Sequence, residues 1–131
     1  MMRLPLYAYG LLLTFDGYDA PEALCANAAL LYRVLEELPR RIGMRPLGEP
    51  CIVGVSEPGI AGLSGFRFIM ESHISIHTYE ERGFVTADIY SCKAFDAEKA
   101  ARYLARSFGI RAYDHDAHLR GRRFGAPGAR E

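Results

Sequence analysis

The segment Glu71-Ser72-His73-Ile74-Ser75-Ile76-His77-Thr78-Tyr79-Glu80-Glu81 holds the residues best placed to do chemistry. Alternation along a strand sets Ile74 and Ile76 on one face and His73, Ser75 and His77 on the other. Two isoleucines suit packing. Two imidazoles and two hydroxyls between Ser72 and His77 exceed what an ordinary exposed strand needs. A hydroxyl near an imidazole is a recurrent nucleophile and base pairing. A polar strand face that holds two His accounts for the same residues, and on composition alone it is the stronger account. Cys92, further on, reads equally as a small core residue, and Ser64, upstream, as a turn residue.

These side chains need elements to hold them. Tyr7 to Phe15 is a short apolar run, rich in Leu and aromatics, that reads as a buried strand ended by Asp16-Gly17. Asp19 is placed to cap a helix, with Glu22 completing a capping-box pattern and Pro21 in the first turn. Leu24, Leu31, Val34, Leu35 and Leu38 give this helix a core-facing stripe, and Pro39 and Gly43 end it. Cys51 to Val55 reads as a strand and Glu57-Pro58-Gly59 as a loop. Gly65 to Met70 sets Phe66, Phe68 and Met70 against Arg67, a half-buried strand pattern. Strand character follows over Ile74–Thr78 and Phe84–Ser91, joined by a turn at Glu80–Gly83. Asp96 caps a second helix with the stripe Ala97, Ala100, Ala101, Leu104, Ala105 and Phe108, stopped at Gly109. Ile110 to Tyr113 forms a last short strand. The order predicts an α+β two-layer sandwich, a mainly antiparallel sheet with two helices packed on one face. One domain is expected over 1–118, with the Arg- and Gly-rich stretch 119–131 as a flexible tail.

The 131 residues carry 16 basic and 16 acidic side chains, a balance that points to neither nucleic acid nor an anionic membrane. No apolar run is long enough to span a bilayer, and Met1–Gly10 lacks the basic-then-apolar order of a signal peptide. Cys25, Cys51 and Cys92 are an odd set without paired spacing, as expected in a reducing cytoplasm. His115 and His118 alone make a poor metal site, so no metal is expected.

Glu71-Ser72-His73, His77-Thr78-Tyr79, Glu81, Gly83-Phe84, Asp88 and Cys92 stand in one order and spacing, with Ser64-Gly65 eight residues before Ser72. This constellation resembles prokaryotic S-adenosylmethionine decarboxylases, and the resemblance extends over most of the chain. It implies a proenzyme that cuts its own backbone between Glu71 and Ser72, after the Ser72 oxygen attacks the Glu71 carbonyl carbon. Ser72 then becomes a covalent pyruvoyl cofactor. That group forms a Schiff base with a small-molecule amine substrate and draws electrons as carbon dioxide leaves. The resemblance further implies His77 as acid or base in processing, Ser64 as support for the reacting carbonyl, and Cys92 as the proton donor to the resulting carbanion. Glu81, Tyr79 and Phe84 are implied substrate contacts. The implied product is S-adenosylmethioninamine for spermidine and other polyamine synthesis, made by a homodimer of cleaved protomers.

If 71–78 and 84–92 form a hairpin, a turn centred between Glu81 and Arg82 sets Cys92 opposite Glu71. A centre one residue later sets it opposite His73. In both registers Cys92 lies about 5 Å from the cleavage site across the strands. In a straight strand Ser72 and His77 lie about 16 Å apart, so an irregularity is expected at or just after Glu71. The chain departs from the family where Tyr79-Glu80 replaces Trp-Pro and Lys93 replaces Gly. It also lacks an aromatic in Ser56–Ala61, where family members place residues able to stack on adenine. These departures fit a different amine substrate, and because some members of the family act on basic amino acids the resemblance implies arginine or ornithine as the alternative, met by Glu57, Glu80 or Glu81. A non-catalytic regulatory or binding subunit on the same fold is the alternative of another class.

Overall fold

The period-two pattern of the sequence becomes one sheet of six strands. The structure is a computed structural model that describes Leu4 and residues 7–125. Its elements in chain order are β1 (Gly10–Tyr18), α1 (Glu22–Cys25), α2 (Ala28–Arg41), β2 (Pro46–Val55), β3 (Gly62–Ile69), β4 (Ser72–Tyr79), β5 (Phe84–Ser91), α3 (Ala97–Ser107) and β6 (Ala112–Arg120). The strand order is β2-β3-β4-β5-β1-β6, and each neighbouring pair is antiparallel. The expected α+β sandwich is the observed architecture.

One face of the sheet is covered by helices, α2 over β2 and β3 and α3 over β1 and β6. Leu11, Leu13 and Phe15 of β1, Ile74 and Ile76 of β4 and Val85, Ala87 and Ile89 of β5 point into this core. They meet Leu31, Leu35 and Leu38 of α2 and Leu104 and Phe108 beyond them. Gly65 lets α2 lie close, because a Cβ there would stand 2.8 Å from Leu35 Cδ1. The other face of the sheet carries His73, Ser75, His77, Thr86, Asp88 and Tyr90, and no helix among the described residues covers it.

Several expectations are corrected. The first helix is two: a four-residue α1, then α2 capped by Asn27, whose side chain accepts from the Leu30 N–H at 3.0 Å. Asp19 instead sits in a turn with φ 57°. Pro39 lies inside α2, which runs on to Arg41, and Gly43 with φ 76° follows its end. The faces of β3 are inverted relative to hydrophobicity. Arg67 is buried, with Nη1 donating to the Leu35 carbonyl at 3.0 Å and Nη2 to the Gly48 carbonyl at 2.8 Å. Phe68 is 62% exposed on the opposite face. The last strand is longer than expected, so Leu119 and Arg120 pair with β1 and do not belong to a tail. The expectation for residues 126–131 lies outside the described residues.

Candidate active site

Strand β4 begins at Ser72, directly after the two-residue turn Met70-Glu71 that joins it to β3. Arg45 pins that turn from both sides: its carbonyl accepts from the Met70 N–H at 2.8 Å, and its own N–H donates to Glu71 Oε1 at 3.2 Å. The irregularity expected at or just after Glu71, which was to bend the chain between Ser72 and His77, is not there: this turn precedes Ser72 and leaves both residues on one unbroken strand. From Ser72 to Tyr79 the strand is continuous, paired with β5 throughout and with β3 from Ser72 to His77.

The pairing of β4 with β5 sets Ser72 opposite Ser91 and Tyr79 opposite Phe84. This is the register centred between Glu81 and Arg82. One step beyond the ladder, the Cys92 N–H donates to the Glu71 carbonyl at 2.9 Å. Ser91 Oγ, buried, accepts from the Lys93 N–H at 2.9 Å and donates to the Lys93 carbonyl at 2.7 Å, which shapes the chain around Cys92. Cys92 itself is exposed and free. An N–H aimed at a carbonyl stabilises negative charge that grows on its oxygen.

Ser64 and His77 are directly opposed on β3 and β4, and Ser64 Oγ lies 2.7 Å from His77 Nδ1. Thr86, the partner of His77 on β5, donates to Asp16 Oδ1 at 2.8 Å. The pair opens on a cleft of about 290 Å³ that includes Gly62, Leu63 and Tyr79. Beside it a second cleft of about 310 Å³ is lined by Tyr79, Phe84, Glu81, Ile60 and Ala61. Tyr79 and Phe84 stack with centroids 6.0 Å apart, and Glu81 Oε1 accepts from the Gly59 N–H at 3.0 Å.

The candidate residues therefore fall into two groups at opposite ends of β4. Glu71, Ser72 and Cys92 gather at its start. Ser64, His77, Tyr79, Phe84 and Glu81 gather towards its end. At strand rise, Ser72 and His77 stand about 16 Å apart, and the continuous ladder removes any bend between them. Sequence reasoning gave His73 no role, yet Ser72 Oγ lies 3.2 Å from His73 Nδ1. Adjacency to Ser72 gave no signal of this, because alternation sets neighbouring strand residues on opposite faces. Cys25 is no candidate: it is buried, and burial first, then the charges of Glu80 and Glu22, push its thiol up.

The family model for S-adenosylmethionine decarboxylase matches residues 11–121. An S-adenosylmethionine decarboxylase proenzyme of Symbiobacterium thermophilum is 32% identical over 114 residues, which cover 86% of this chain and 83% of that protein. The proenzyme of Pyrococcus furiosus is 40% identical over 60 residues, 45% of this chain. That match spans 42% of the Pyrococcus protein, less than half its length. The crystal structure of the adenosylmethionine decarboxylase of Aquifex aeolicus superposes with a TM-score of 0.74 at 26% identity, covering 87% of this chain and 92% of that one.

Proposed function

The chain belongs to the S-adenosylmethionine decarboxylase family, and from that premise we propose that it cuts itself between Glu71 and Ser72 and then decarboxylates S-adenosylmethionine. The observation that carries this reading is the 2.9 Å hydrogen bond from the Cys92 N–H to the Glu71 carbonyl. It polarises the carbonyl that Ser72 would attack, and it holds the Cys92 backbone beside the future cofactor. The residues fit a pyruvoyl group made from Ser72: a pinned turn precedes it, a free thiol neighbours it, and its Oγ is hydrogen-bonded. A pyruvoyl group supplies an electrophilic carbonyl that accepts electrons as carbon dioxide leaves. Cys92 Sγ then returns a proton to the substrate carbon. Tyr79 and Phe84 offer an aromatic surface for adenine, which answers the missing aromatic in 56–61, and Glu81 offers a carboxylate to the cationic substrate.

Ser64 and His77 serve the bond of a second copy in this reading. Within one chain they are tied to each other at the far end of β4. A two-fold-related copy laid across the open sheet face exchanges the ends and brings each His77 towards the partner's cleavage site. Val53, opposite Ser64, is 60% exposed and Phe68 is 62% exposed on this face, apolar surface that such a homodimer would cover. The three free cysteines suit a reducing cytoplasm.

The test is carbon dioxide release from carboxyl-labelled S-adenosylmethionine, arginine and ornithine, assayed side by side. Release from S-adenosylmethionine is expected. Release from arginine or ornithine alone contradicts the substrate assignment, and release from none contradicts the enzyme reading.

A further inference from the structure

We propose that His73 is the base that takes the Ser72 hydroxyl proton when the chain cuts itself, acting within its own protomer. The inference rests on the proposed cleavage at Ser72 and assigns its first step. A serine hydroxyl is a weak nucleophile until a base relieves it of its proton. His73 Nδ1 is 3.2 Å from Ser72 Oγ. His77 is bonded to Ser64, about 16 Å along the strand.

Consecutive strand residues normally point to opposite faces. Ser72 departs from that pattern directly after the turn, with a positive φ of 157°, and its Oγ meets the neighbouring ring. The ring is held on two sides. Phe66 of β3 stacks on it at 5.4 Å and 25°, and Tyr90 of β5 meets it edge-on at 5.7 Å. Tyr90 is in turn braced by the Arg120 guanidinium, 4.9 Å over its ring. An imidazole fixed this way keeps Nδ1 on the hydroxyl at little entropic cost.

The step balances without a co-reactant. The Ser72 hydroxyl proton passes to His73 Nδ1 as Oγ bonds to the Glu71 carbonyl carbon. The displaced electron pair moves onto the Glu71 oxygen, which faces the Cys92 N–H. The carbonyl re-forms, the carbon–nitrogen bond breaks, and the Ser72 nitrogen takes the proton from His73. Amide has become ester, and His73 is neutral again.

The experiment follows cleavage of freshly purified wild type, His73→Ala, His73→Gln and Ser72→Ala by denaturing mass spectrometry, with hydroxylamine and added imidazole as probes. Circular dichroism checks that each variant is folded. Both His73 variants are expected to cleave about 10²- to 10⁴-fold more slowly than wild type, the usual contribution of a positioned base. Their uncut chains should resist hydroxylamine, because an amide and not an ester remains. Imidazole should accelerate His73→Ala by filling the slot between Phe66 and Tyr90, and should leave His73→Gln unchanged. Wild-type rates in a folded variant, a hydroxylamine-labile uncut chain, or a folded His73→Ala that imidazole does not accelerate would each overturn the assignment. If His73→Ala does not fold, the rate and hydroxylamine response of His73→Gln decide. A wild-type chain that never cleaves overturns the cleavage reading itself, which separates the two failures.

Discussion

At Cys92 one residue offers two different groups to one neighbourhood. Its backbone N–H holds the Glu71 carbonyl, whereas its thiol is free and exposed. Cys92→Ala removes the thiol and keeps the N–H. The variant should therefore still cut itself, while its decarboxylation rate falls about 100-fold or more, the lower end of what a positioned proton donor contributes. Fragment analysis together with turnover measures both, and loss of cleavage would show that the two jobs are not separable. The position of Cys92 was legible in the sequence, because the Glu80–Gly83 turn and matched polar faces left two registers, and both brought it near Glu71. The contact between Ser72 and His73 was not. Alternation places adjacent residues on opposite faces, and only the backbone after the Met70-Glu71 turn brings them together. Arg67 was misread for a related reason. Its acceptors are carbonyls of Leu35 and Gly48, and no local pattern announces partners that distant.

The elements themselves were mostly visible, since β4, β5 and α3 follow strong periodic patterns and Asp96 caps α3 as expected, accepting from the Lys99 N–H at 3.1 Å. The helix ahead of β2 shows where local signals compete. Asp19 and Glu22 form a capping-box pattern, but the Ala20 N–H donates to the Gly83 carbonyl, and tertiary pairing takes that segment. Asn27 caps the longer helix instead. Asn27→Ala should lower unfolding stability by about 1 kcal/mol in denaturant melts. Asp19→Ala acts through its left-handed backbone and not through a cap, so Asp19→Gly, which keeps that conformation, should cost little. No loss at Asn27 would contradict the observed division of α1 from α2.

On the scale of the whole molecule, the sheet separates residues that the proposed cleavage assigns to one bond. The proposed cleavage site and the Cys92 thiol lie at one end of β4, and the Ser64–His77 pair with the aromatic cleft lies at the other. That separation was half legible: the distance follows from strand rise, but the proposal that a second copy resolves it needed the continuous ladder and the uncovered face. Mixing unfolded Ser72→Ala and His77→Ala chains and refolding them together should restore cleavage in about half of the His77→Ala chains, those paired with a Ser72→Ala partner. No cleavage in the mixture would contradict the shared site. The most direct measurement is the intact mass of the purified wild-type chain beside that of Ser72→Ala. The account predicts two wild-type pieces, 1–71 and 72–131, the second bearing a carbonyl that hydrazide labels, and an uncut variant. A wild-type chain that stays whole and unlabelled would contradict it.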